Sequence, residues 1–188
     1  MKIGQDTSST YLFKLAKTHA EIAAYFELRR QIFVEEQQVF EHSDIDALDS
    51  ISYPIIAVQS NASCLDVLGV VRIYEAEPRL WFGGRLGTHP EHRKALQVGK
   101  GLIYKAVTTA NTWGCDRFLA TVQLQNVRFF QRLHWHSLQE VVIQEIPHHL
   151  MEADLSYYPA GTSSRPKQLI RDVTPEIQIM SYSSREGS

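Results

Sequence analysis

Hydrophobic and polar positions change period several times along this chain, and each change marks an element. Tyr11-Leu12-Phe13-Lys14-Leu15-Ala16 alternates well enough for a first strand. Thr18 with Glu21 three residues on is a capping box, so a helix is predicted to start there. Ile22, Phe26, Arg29 and Phe33 hold one face of it to about Val34. Pro54 to Val58, Val67 to Tyr74 and Arg79 to Leu86 read as strands, the first two joined as a hairpin across Ser60 to Ser63. Helical period returns with Leu102, Ile103, Ala106, Val107, Ala110 and Trp113, and Gly114 is a natural stop. Arg117 to Leu124 reads as a buried strand, and Asn126 caps a helix that carries Phe129, Phe130 and Leu133. Leu138 to Ile146 and His149 to Leu155 are expected as a closing pair of strands on either side of Pro147. The order β-α-β-β-β-α-β-α-β-β, with at most one more helix between Gln38 and Ser50, gives an α/β mixed sheet. One half is rich in hairpins and the other is built on crossovers.

Composition changes this picture little. A chain of 188 residues is long enough for one real core. From Tyr157 to Lys167 the residues turn to Pro, Gly, Ser and Thr, so the expected division is a domain over 1–156 and a linker and tail over 157–188. Thr174 to Tyr182 is a candidate short strand there. A net charge of −2 gives no electrostatic reason for a nucleic-acid partner. Cys64 and Cys115 form neither a CxxC pair nor a zinc spacing, and no apolar run approaches a membrane span. The expectation is a cytoplasmic protein with two reduced thiols and no membrane partner. The oligomeric state stays open, a homodimer included.

The chemistry concentrates in Arg85 to Leu102. An apolar strand ends there and a glycine-flanked turn opens into a helix, whose first N–H groups and dipole favour an anion. Arg85, Arg93, Lys94, Lys100 and Lys105 stand against the lone acid Glu91 in a chain of negative net charge. This points to a phosphorylated ligand, where two glycines alone would mean an ordinary turn. The acidic run from Glu35 to Asp49 ends in the loop Asp44 to Asp49, which lacks the central Gly and closing Glu of an EF-hand, so a solvated or substrate-facing loop is expected there. His134, His136, His148, His149 and Glu152 match no closed zinc pattern, so no metal is expected, and His148 and His149, neighbours in a strand, point to opposite faces, so that one of them can face a cleft. Cys115 has no His partner and reads as packing.

Four segments resemble the GCN5-related N-acetyltransferase (GNAT) superfamily over roughly Tyr11 to Leu155. Leu28 to Gln37 resembles a first-helix signature, and Arg85 to Arg93 the fourth strand and its exit. Val98-Gly99-Lys100-Gly101-Leu102 resembles the end of the pyrophosphate loop, and Asn126 to Trp135 the last conserved helix. His148 to Leu155 is further similar to a bacterial subgroup linked to nitrogen starvation. The resemblance implies a splayed mixed β-sheet of six to seven strands flanked by helices, with acetyl-CoA as co-substrate between the fourth and fifth strands. It implies that Leu86, Gly87 and Thr88 pair with pantetheine. Amides from Leu96 through Gln97, Val98, Gly99 and Lys100 to Gly101 would hold the pyrophosphate, and Arg93, Lys94 and Lys100 would meet the outer phosphates. Asn126, Phe129 and Phe130 would line the thiol end.

The implied activity is direct attack of a small amine on the thioester. Three positions depart from the family pattern: Leu96 where a phosphate-binding Arg or Gln is usual, Phe130 where a thiolate-protonating Tyr is frequent, and Phe82 where a basic Glu is frequent. The catalytic candidates are then Glu36 after the first helix, Glu75 at a strand end, and His134 where Gly is usual. Each also reads as an ordinary structural or surface residue. An acyl-homoserine lactone synthase-like enzyme and a non-catalytic acetyl-CoA sensor are the competing expectations, the latter motivated by Phe82 and Phe130. The acidic run would suit a cationic acceptor.

Overall fold

The computed structural model describes residues 11–60, 64–94 and 96–167. Seven strands form one sheet in the order β1-β2-β3-β4-β5-β7-β6. They are β1 (Tyr11–Leu15), β2 (Tyr53–Gln59), β3 (Val67–Glu77), β4 (Leu80–Thr88), β5 (Arg117–Gln123), β6 (Trp135–Ile143) and β7 (Ile146–Ala153). The helices are α1 (His19–Arg29), α2 (Gln97–Thr112) and α3 (Val127–Gln131). All neighbouring strands are antiparallel except β4 and β5, which α2 connects.

The sheet is packed on both faces, which is why β2 reads as an unbroken apolar run. Its Ile55 and Ala57 join the α2 side with Val98, Leu102, Ala106 and Trp81, and its Ile56 and Val58 join the α1 side with Ile22, Phe26 and Ile32. Thr18 and Glu21 form the reciprocal capping box, and Glu21 also pairs with Lys14 of β1. Burial pushes the Glu21 carboxyl up, but Lys14 and the amides of Lys17 and Thr18 outweigh it and hold its pKa at about 2. Gly114, at φ +88°, ends α2 as its position predicts.

Several expectations shift. The first helix ends at Arg29 and widens into a π-helical segment, Arg30–Glu36. The candidate helix near Gln38 to Ser50 is a 3-10 turn, Ala47–Ile51, capped by Asp46. Pro147 lies inside β7, opposite Val142, and not between two strands. The hairpin turn is Gln144-Glu145, both at positive φ without a Gly or Asn to announce it. Pro147 is tolerated because pairing with β5 begins one residue later, at His148. The residues expected as a linker run without strand or helix from Tyr158 to Lys167, yet they lie on the domain. Tyr158 is 1% exposed, and Arg165 pairs with Glu75 and donates to the Tyr53 hydroxyl. Thr174 to Tyr182 falls outside the described residues.

Candidate functional site

The site begins where β4 and β5 part. They pair only from Leu80 with Arg117 to Gly83 with Ala120, so the β5 side of Gly84 to Thr88 has no strand partner among the described residues. Opposite, the β3–β4 register slips between Val70 and Arg72, and Arg85 takes the extra residue at φ +52°. A bulge of this kind bends its strand and increases twist, which helps aim β4 away from β5. The gap opens into a cavity of about 580 Å³.

One wall of this cavity is charged. Asp46, Arg72 and Arg85 line it with Phe33, Phe40, Tyr74 and Phe82. Arg72 is 3% exposed and lays its fork on Asp46, at 2.6 and 2.8 Å. Behind it Arg29, wholly buried, bonds Asp44 at 2.6 Å and Asp49 at 2.6 and 3.1 Å. The aspartates that end the acidic run are therefore not solvated, although Glu35, Glu36 and Glu41 are exposed. Asp44 and Asp49 are buried counter-ions, and only Asp46 reaches the cavity. Burial pushes the Asp46 carboxyl up, but the Arg72 and Arg85 guanidiniums prevail and hold it below its usual range.

The opposite wall comes from β5, β7 and α3: Thr121, Gln123, Asn126, Phe130 and His148. His148 Nδ1 lies 2.8 Å from the carbonyl of Ile146. A carbonyl can only accept, so Nδ1 carries the proton and Nε2 keeps a lone pair in the neutral ring. Phe130 is buried edge-on against Trp135 and has no proton to offer.

The N-terminus of α2 stands at the rim. Leu96 enters it at φ +54° without a side-chain cap, and the amides of Gln97 and Val98 make no hydrogen bond among the described residues. Lys94, Gln97 and Lys100 are exposed beside them. Gly99 faces Thr88 and Phe129 at ordinary contact distance, 3.8–4.0 Å from where a Cβ would stand. Gly101 differs. A Cβ there would lie 2.0 Å from the Phe13 ring, so this glycine is required by helix–sheet packing.

The three expected catalytic side chains lie apart from the cavity lining. Glu36 holds the Arg93 guanidinium bidentately, which places Arg93, an expected phosphate ligand, in an ion pair and on the carbonyl of Thr88. Arg93 holds the Glu36 carboxyl below its usual range, a poor state for a base. Glu75 stands opposite Trp81 at the paired end of β4, accepting from the Arg79 amide and from Arg165, and both hold its carboxyl low. His134 occupies a positive-φ position, +62°, and stacks on Tyr157 at 3.8 Å. The signal passed over was Arg72, a cation inside the apolar run Val67 to Tyr74, where a charge survives only if paired. Burial pushes the Cys115 thiol up to about 12, in keeping with a packing role. Among the described residues the one set that gathers three ligand-type atoms within 4.8 Å is His89, Glu91 and His92, on the turn before α2 and outside the cavity. No described helix is long and apolar enough to cross a membrane.

The fold is shared with several solved structures. Escherichia coli ElaA is 20% identical, over 77% of this chain and 100% of that one, with a TM-score of 0.66. An acyl-CoA N-acyltransferase from Pseudomonas aeruginosa is 19% identical, over 77% and 99%, at 0.63. The CoA-dependent acyl-homoserine lactone synthase BjaI, solved with MTA, is 13% identical, over 82% and 91%, at 0.62. At these identities the likeness speaks for the fold. No curated protein matches the chain. The model of the acetyltransferase (GNAT) family matches residues 14–135, most of the sheet and its helices, and the chain belongs to that family.

Proposed function

We propose that this protein is an acyl-CoA-dependent N-acyltransferase that moves an acetyl group from acetyl-CoA to a small amine by direct attack in a ternary complex. The observation that carries this reading is the β5 side of β4 from Gly84 to Thr88 and the amides of Gln97 and Val98, all without a partner among the described residues. Strand-like pairing suits a pantetheine arm with its two amides, and a helix N-terminus suits a pyrophosphate. In this reading Leu86, Gly87 and Thr88 supply the strand edge, Lys94 and Lys100 meet the outer phosphates, and Asn126 with the Phe129–Phe130 face borders the thioester. Arg93 serves by fixing the turn, since its guanidinium is already committed to Glu36 and Thr88.

For the chemistry, the amine nitrogen forms a bond to the carbonyl carbon as the carbon–sulfur bond breaks. The electron pair leaves on sulfur, which takes up a proton, and the proton released from nitrogen goes to a base. His148 is our choice for that base. Among the titratable side chains lining the cavity, Asp46 is held as a carboxylate by two arginines and burial raises the Tyr74 phenol, whereas His148 Nε2 has no partner among the described residues. Calorimetry with acetyl-CoA, followed by thiol release across a panel of amines, tests the reading. Binding with amine-dependent release supports it, binding without release on any amine replaces it with a sensor, and no binding removes it.

A further inference from the structure

Resting on that acyltransferase reading, we infer that the charged wall selects acceptors bearing an anionic group, above all a carboxylate, beside the amine. Two cations, Arg72 and Arg85, line the cavity against one anion, Asp46. Beneath the wall Asp44 and Asp49 pair with Arg29 and also reach Arg85 and Arg72, at 3.3 and 3.1 Å, so the case for an anion rests on the guanidinium donor left over and not on net charge.

Neither lining guanidinium is fully used. Arg72 Nε, though buried, makes no hydrogen bond, and it faces Gly84, where an added Cβ would sit 3.6 Å away. Arg85 spends Nε and one terminal nitrogen on the Asp44 carbonyl and Asp46, at 2.9–3.2 Å. Its Nη1 has no partner among the described residues and is left to the cavity. The Phe40 ring, 4.4 Å from the Arg85 guanidinium carbon, holds that group at the wall. Burial lowers the Arg85 pKa, and the nearby Arg72 and Arg29 lower it further against the opposing pull of Asp46 and Asp44. A carboxylate meeting Nη1 would gain a charge-assisted hydrogen bond and relieve that crowding. A polycation would meet two arginines, and the expectation of a cationic acceptor is replaced by its opposite.

The test uses matched pairs differing only by the carboxylate: phenylalanine with phenethylamine, and leucine with 3-methylbutylamine, with spermidine as the polycation. Acetylation should favour each amino acid at least tenfold in kcat/KM and leave spermidine poorest. Arg85→Gln should bring each pair within about threefold through the KM of the amino acid, with the acetyl-CoA Kd unchanged. Gly84→Ala, whose methyl fits at 3.6 Å and fills the space before Arg72 Nε, should act the same way more weakly. Turnover that is equal within a pair, or best with spermidine, overturns the inference while leaving the acyltransferase reading intact. If acetyl-CoA is not bound, that reading fails, and calorimetry with the N-acetyl derivatives of the same pairs still decides the pocket. N-acetyl amino acids binding no better than their neutral counterparts refutes the carboxylate site.

Discussion

The two walls of the cavity use charge in opposite ways. On the α1–β3–β4 side each carboxylate is locked to arginine, and Arg29, Asp44 and Asp49 are shut from water. On the β5–β7 side a lone imidazole has its tautomer fixed and one nitrogen left over. Locked charge sets shape and potential, because none of its members changes protonation without breaking a buried pair. A free nitrogen suits proton transfer. The contrast teaches why abundance of acids in a sequence is a poor guide to free proton acceptors: most of those acids are already paired.

The comparison breaks most visibly at Arg29. Arg29→Met leaves Asp44 and Asp49 buried with only their longer contacts to Arg85 and Arg72, so a loss of about 3–5 kcal/mol is expected by denaturant unfolding. The same change on the other wall, His148→Gln, should leave stability nearly unaltered. It should instead lower kcat on the order of 10²-fold, with acetyl-CoA affinity intact by calorimetry. The glycines at the rim sharpen the point. Gly101→Ala should cost about 1–3 kcal/mol in chemical unfolding because its methyl enters the Phe13 ring, and Phe13→Leu should restore part of it. Gly99→Asp should leave the fold in place and abolish acetyl-CoA binding by setting a carboxylate against phosphate. Smallest of all, Glu36→Gln should change turnover less than about twofold and stability by under about 1 kcal/mol, since its pair with Arg93 is half exposed. Glu21 adds a pH dependence. With its pKa lowered from 4.5 to about 2, its contribution is full above about pH 5 and disappears as pH falls towards 2, and Glu21→Gln should flatten that slope in acid unfolding.

Local signals were legible where local physics decides. The capping box at Thr18, the stop at Gly114 and the apolar run of β2 each follow from a few neighbouring residues. The splay of β4 from β5 followed from the resemblance to a family. Its bulge at Arg85 was hidden, because an arginine at positive φ carries no turn signature. The same holds for Gln144 and Glu145, whose turn lies next to a Pro that seemed to mark the break. Ion pairing was hidden for a different reason. Glu36 and Arg93 are 57 residues apart, and Asp46 and Arg72 are 26 apart, so only the folded chain reveals which charges are consumed.

Hydrogen exchange with and without saturating acetyl-CoA reads the central claim at the backbone itself. New protection is expected at Leu86 and Thr88, whose amides face the open edge of β4, and at Gln97 and Val98 at the start of α2, with Gly87, whose amide faces β3, and the buried Arg29 network unchanged. Saturation of binding with no added protection at those amides would contradict it.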